Sequence, residues 1–295
     1  MLFDISTKAQ LAKLLAVAPG EIDNVLRNPG RYYRPQNTSK KDGSIRRLLV
    51  PQGKLKLLQK KIKLHILDNF PFLDCVHGGV RGRSILSNAL PHVLKPVVFS
   101  VDIKEFFPHV TPHRVFQIFR GLGFGEECAR ILMKATTWDF ELPQGASTST
   151  ALANLSLVRA DWRLRRLAQI QHFSYTRYVD DLTISGEWRL VKFRRLVQRI
   201  VESEGFHVKP QKTVTMHLGV RQVVTQLVVN TKVNMPREWR NEVRQRVFGP
   251  SLVNDGDSSM ASLVGQVNWL RYVNPAVGAR LLERVQIAKG QAVNA

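Results

Sequence analysis

Cysteine is nearly absent from this chain: 2 residues in 295, Cys75 and Cys128. So distant a pair offers neither a disulfide framework nor zinc-site spacing. A reducing compartment, the cytoplasm, is the expected location. Acidic residues are also scarce, 23 Asp and Glu against 44 Lys and Arg, which leaves a formal net charge of +21. No apolar run nears the ~20 residues that cross a bilayer. The opening MLFDISTKAQ lacks the basic and apolar regions of an export signal, so no membrane association is expected. Internal repeats, low-complexity tracts and flexible linkers are missing too. What is there is a chain 44% hydrophobic, enough to bury a core. Its length suits one large domain or about two ordinary ones.

A positive excess of this size attracts polyanions, nucleic acid foremost. It is unevenly spread. Residues 31–70 carry 11 Lys and Arg against 2 Asp, and residues 206–295 carry 12 against 5 acids. Two separated basic regions suggest a groove gripped from both sides.

Periodicity and breakers outline the elements. Residues 6–28 read as two short helices interrupted at Ala18-Pro19-Gly20. That outline is shared by DNA-binding helix-turn-helix units and by any pair of packed helices. Residues 31–50 read as a hairpin turning at Lys41-Asp42-Gly43-Ser44. A helix is expected over 52–70, with Leu55, Leu58, Ile62, Ile66 and Phe70 on one side. Residues 97–102, Val-Val-Phe-Ser-Val-Asp, form a buried strand that ends in a carboxylate. Helices follow over 112–121, 125–136 and 147–170. Two strands, 173–178 and 182–185, are joined by Val179-Asp180-Asp181. A basic helix over 188–204 and a Val-rich strand over 222–230 precede a helical region from Pro236 onward, where Trp239, Val243 and Val247 share a face.

Adjacent carboxylates at a hairpin tip repel one another unless cations are near. A sheet would bring Asp102 beside Asp180 and Asp181. Three such carboxylates make a hard-oxygen site suited to Mg²⁺. Two Mg²⁺ ions side by side are a device for in-line attack at phosphate.

At these residues the chain resembles the reverse transcriptases. Tyr178-Val179-Asp180-Asp181 has their Tyr-x-Asp-Asp form. Asp102-Ile103-Lys104-Glu105-Phe106-Phe107 is similar to their first catalytic strand, and Leu142-Pro143-Gln144-Gly145 to the loop before their long palm helix. Arg46 with Pro51, Leu55 and Gln59 resembles the fingers segment, and Lys212-Thr213 after Gly205-Phe206 the next palm motif. The matches fall in the family's order over about residues 31–230. Asn88-Ala89-Leu90-Pro91-His92, after His77-Gly78-Gly79 and Gly82-Arg83-Ser84-Ile85, has the Asn-Ala-x-x-His form of the retron branch. Val224-Thr225-Gln226 stands where that branch carries Val-Thr-Gly, a departure.

The resemblance implies a right-hand polymerase fold of α+β class, its antiparallel palm sheet carrying the catalytic Asp residues. It divides the chain into an N-terminal helical segment (1–30), fingers (31–96), a palm (97–235, with fingers helices inserted at about 111–143) and an RNA-binding thumb (236–295). Asp102, Asp180 and Asp181 are then catalytic, and with the Ile103 carbonyl they bind two Mg²⁺ ions. Phe107, rather than the adjacent Phe106, gates the sugar. Gln144 and Gly145 lie beside the nucleotide, Arg46 (or Arg47) with Lys41 (or Lys40) clamps its triphosphate, and Lys212 serves the departing pyrophosphate. Asn88 and His92 either contact RNA or form a polar pair holding a loop. Arg237, Arg240, Arg244 and Trp269, basic residues with interleaved aromatics, suit structured RNA.

The implied function is RNA-directed DNA synthesis on a cognate structured noncoding RNA. The implied product is branched RNA-linked single-stranded DNA, made from deoxynucleoside triphosphates in an antiphage system with an effector or toxin partner. A different bacterial reverse transcriptase, a non-catalytic RNA-binding scaffold and a DNA-binding regulator are the alternatives.

Overall fold

The computed structural model describes residues 2–39, 43, 45–249 and 257–293. The chain begins with helices α1 (Lys8–Leu14) and α2 (Pro19–Leu26) and a hairpin of β1 (Tyr33–Ser39) and β2 (Ile45–Pro51). Helices α3 (Gly53–His65) and α4 (Ile85–Ala89) lead to β3 (Val97–Asp102). Five helices follow: α5 (Phe106–His109), α6 (Pro112–Leu122), α7 (Glu126–Thr136), α8 (Ser149–Ser156) and α9 (Val158–Gln171). Then come β4 (Ser174–Tyr178), β5 (Asp181–Gly186), α10 (Arg194–Glu202), β6 (Val214–His217) and a small hairpin of β7 (Val223–Val224) and β8 (Leu227–Val228). Helices α11 (Arg237–Phe248), α12 (Asp257–Val273) and α13 (Pro275–Val293) complete the described chain.

Strand β3 organises the packing. It lies inside an antiparallel sheet of order β4-β5-β3-β6. Side chains alternate between faces of a strand. Val97, Phe99 and Val101 therefore enter the main core, while Val98 enters a second core built from Val224, Leu227, Val243, Val267, Leu270 and Val285. Burial on both faces explains the consecutive apolar residues Val97, Val98 and Phe99. Mixed helices around an antiparallel sheet are the architecture expected from the sequence.

Some elements differ from expectation. The helix from residue 53 stops at His65, where the Asn69 side chain donates to the His65 carbonyl at 2.8 Å, and a short 3-10 turn occupies Leu67–Asn69. The single helix expected over 147–170 is two, α8 and α9, divided at Leu157. There the Ser156 hydroxyl bonds back to the Ala153 carbonyl at 2.7 Å, the competition for backbone acceptors that weakens Ser inside helices. The segment 188–204 opens as a 3-10 helix (Trp188–Phe193) before α10. The strand expected over 222–230 is instead the β7–β8 hairpin, with Thr225 (φ 44°) and Gln226 (φ 71°) forming its turn. Two positive φ angles are what a tight two-residue hairpin turn demands.

Helices α1 and α2, with Leu15 just past the end of α1, put Leu11, Ala12, Leu15, Ile22 and Val25 into the main core, packed against α7 and α3. Residues 6–28 thus serve packing on the main core.

Candidate active site

Strand register sets the acidic cluster. β4 and β5 pair so that Tyr178 faces Asp181, which leaves Val179 and Asp180 as the connecting turn. β3 and β5 pair so that Asp102 faces Asp181 directly. The Ile103 N–H donates to the Asp180 carbonyl at 3.0 Å, and the Lys209 N–H to the Asp102 carbonyl at 2.7 Å. Two acids at one hairpin tip and one from a central strand therefore meet at one end of the sheet.

The electrostatics record that meeting. Burial, then the negative charges of Asp180 and Asp102, pushes the Asp181 carboxyl up to about 7, and Lys212 only partly offsets this. The Lys212 ammonium donates to Asp102 Oδ2 at 3.2 Å.

Among the described residues, no three His, Cys, Asp or Glu side chains form a ready metal cage. Like charges hold one another off, and Mg²⁺ is usually held by one or two carboxylates together with water and substrate phosphate. The donor set still fits a hard divalent cation. It is all oxygen, and burial together with the crowded negative charge raises Asp181.

Elements around this end carry the nucleotide candidates. Phe106 is buried, edge-on to Phe206 with centroids 5.2 Å apart, whereas Phe107 is only half-buried. Of the two rings, Phe107 alone has surface to offer a ligand. Gly145 is exposed, with φ 114°, in the region that favours glycine. The Leu49 N–H of β2 donates to the Gln144 carbonyl at 2.7 Å, so the Gln144-Gly145 loop abuts the hairpin that carries Arg46. Arg46 is described by its backbone alone, opposite Thr38. Lys40 and Lys41 lie outside the described residues.

Asn88 and His92 require a correction, because both are fully buried and neither has surface for RNA. The His92 ring spans the two hairpin strands, Nδ1 to Ser185 Oγ at 2.7 Å and Nε2 to Thr176 Oγ1 at 2.8 Å. Asn88 donates through Nδ2 to Thr225 Oγ1 at 3.3 Å, and its backbone carbonyl accepts from the Thr176 hydroxyl at 3.2 Å. They are the polar pair that fastens a loop. Farther off, Arg237 and Arg244 are exposed, Arg240 is half-buried, and Trp269 stacks on Tyr272 at 5.5 Å.

Sequence reasoning missed a buried network beneath the hairpin. Arg177, fully buried, donates to Asp161 (2.8 and 2.6 Å), to Asn154 Oδ1 (2.7 Å) and to the Val179 carbonyl (2.8 Å). The available signal was an Arg inside an otherwise uncharged strand.

Three comparisons bear on this arrangement. Residues 38–249 match the family model described as reverse transcriptase (RNA-dependent DNA polymerase). The retron Mx65 and Mx162 reverse transcriptases of Myxococcus xanthus are 34% and 33% identical over 94% and 86% of this chain. The retron Ec86 reverse transcriptase of Escherichia coli is 34% identical over 73%. The chain spans 71%, 60% and 69% of the lengths of these three relatives. Among solved structures, telomerase from Candida albicans superposes with a TM-score of 0.55 at 10% identity, covering 89% of this chain and 56% of that one. That likeness concerns the fold.

Proposed function

The chain belongs to the reverse transcriptase family, in its retron branch, and from that premise we propose that it copies a cognate structured noncoding RNA into branched, RNA-linked single-stranded DNA. As a member it is an RNA-directed DNA polymerase that takes an RNA template and deoxynucleoside triphosphates and uses divalent metal ions. The observation that carries the catalytic assignment is the register that sets Asp102 opposite Asp181, beside Asp180.

In this proposal Asp102, Asp180, Asp181 and the Ile103 carbonyl hold two Mg²⁺ ions. When bound, such ions supply an activated primer hydroxyl and neutralise charge on the triphosphate. Lys212, on Asp102, is placed to give a proton or positive charge to the departing pyrophosphate. Phe107 forms the floor under the sugar and excludes a 2′-OH by steric conflict. Gln144 and Gly145 flank the base and template, and Arg46 with Lys41 grips the triphosphate from the β1–β2 hairpin, since guanidinium forks match phosphate geometry. Residues 31–96 act as fingers, 97–235 as palm and 236–295 as thumb, with Arg237, Arg240, Arg244 and Trp269 against RNA.

Priming from an internal guanosine 2′-OH, a cytoplasmic location, a role in antiphage defence and a nearby-encoded effector are parts of the same proposal. No helix among the described residues is long and apolar enough to cross a membrane.

Primer extension on an RNA template tests the catalytic claim. The wild-type chain is expected to extend the primer. Asp180→Asn and Asp181→Asn are expected to lose about 10³-fold or more in rate with unchanged circular dichroism. A wild-type chain that copies nothing, or active variants, would overturn it. Sequencing of copurified nucleic acid tests the retron claim: one RNA species joined to a short DNA is expected, and bulk ribosomal RNA would contradict it.

A further inference from the structure

We infer that Arg177 is a positioning residue: its buried guanidinium, anchored on Asp161 and Asn154, holds the Val179–Asp180 turn and so aims the two carboxylates beside it. The inference rests on the catalytic reading of Asp180 and Asp181 and adds what keeps them in place.

The turn needs holding. Val179 has φ 59°, a left-handed conformation that is a true outlier for a β-branched residue. Such strain, on the order of 1–3 kcal/mol, persists only where the surroundings over-determine it. Here they act from two sides. Arg177 Nη1 donates to the Val179 carbonyl at 2.8 Å. On the other side Gly78 is so close that a Cβ there would stand 2.4 Å from the Val179 nitrogen and 2.6 Å from its Cγ2.

The two restraints share one residue. Asn154 accepts from Arg177 Nη1 at 2.7 Å and donates from Nδ2 to the Gly78 carbonyl at 2.7 Å. Backbone bonds then fix Arg177 itself: its N–H donates to the Cys75 carbonyl and its carbonyl accepts from the His77 N–H, both at 2.7 Å.

The choice of ion pair points the same way. Asp161 takes a forked contact from Arg177 Nε and Nη2, and the Tyr175 hydroxyl donates to it at 2.7 Å. A fully buried pair costs heavy desolvation and is a poor route to stability, since apolar residues of similar volume often do as well. An apolar pair could fill the space but could not reach the Val179 carbonyl. Only a planar fork serves Asp161, Asn154 and that carbonyl together; a lysine ammonium is a point donor.

The test is Arg177→Lys, with Asn154→Ala as a milder companion and Asp180→Asn in parallel. Arg177→Lys keeps the positive charge beside Asp161 and is expected to fold. Its kcat is expected to fall about tenfold or more, with the deoxynucleotide KM within about threefold, as misplacement of reacting groups predicts. Asn154→Ala is expected to lose about threefold in the same direction. Amide exchange in Arg177→Lys should quicken over residues 178–182 and stay unchanged over 97–101. A folded Arg177→Lys with wild-type kcat, or exchange quickened evenly through the sheet, would overturn the inference. So would failure of both variants to fold, because it would tie these residues to the whole domain. If Asp180→Asn copies normally, the catalytic reading falls instead.

Discussion

Phe106 and Phe107 are neighbours in sequence with opposite fates, and the difference lies in exposure. Phe106 packs on Phe206 inside the core, while Phe107 keeps an open face. Phe107→Ala is expected to raise ribonucleotide use relative to deoxynucleotide by about tenfold, the scale of a steric discrimination of 1–3 kcal/mol. Unchanged discrimination in a single-nucleotide insertion assay would contradict the gate. Gln226 makes a second point. It occupies a position with φ 71°, which accounts for the glycine of the retron pattern. Gln226→Gly is expected to add up to about 1 kcal/mol, relief of left-handed strain less the entropy glycine loses. A urea midpoint that falls on substitution would contradict this. The acids stood out because paired carboxylates between two strands carry chemistry, whereas Phe107 was picked out only by the family resemblance. Arg177 was not legible, since a strand whose three middle residues are all buried shows no alternation to mark its inward charge.

At the scale of elements, the β4–β5 hairpin is stapled across its strands by a histidine. Burial, with Lys95 and His77 adding positive charge, pushes His92 down to about 3. A free imidazole titrates at about 6.5, so between these values the unfolded chain takes up a proton that the folded chain refuses. Stability then rises with pH across that window. The contribution of neutral His92 is complete above about pH 6.5 and drains away as pH falls toward 3. His77, pushed down to about 4 chiefly by burial, adds in the same direction. Urea unfolding of His92→Gln at several pH values is expected to show a flatter acid limb and a baseline lower by about 1–3 kcal/mol. An unaltered acid limb would contradict the buried neutral ring. The sequence revealed both strands and the turn between them. It could not tell a buried bridge from an RNA contact at His92, because one chain's pattern shows residue types and not their partners. The break at Leu157 and the β7–β8 turn were hidden for a related reason: both depend on local backbone bonding inside apolar runs.

For the whole molecule the governing quantity is charge. A formal +21, concentrated before β3 and after α10, makes counterion release the expected main source of RNA affinity. Binding should weaken about a hundredfold or more between roughly 50 and 200 mM salt; a flat response in a filter-binding titration would contradict the groove. The order of elements was readable from the sequence, but the two cores that β3 separates were not. That separation depends on which face of the strand meets which helices, and the Val98 side chain settles it only in three dimensions.

The central claim is that acids far apart in the chain meet around divalent cations. Fe²⁺ exchanged into the site, with ascorbate and peroxide, produces radicals that cut the backbone beside the bound ion. The account predicts two cuts, one near Asp102 and one near Asp180 and Asp181, both lost in Asp102→Asn. Cleavage at only one of these segments, or elsewhere in the chain, would contradict it.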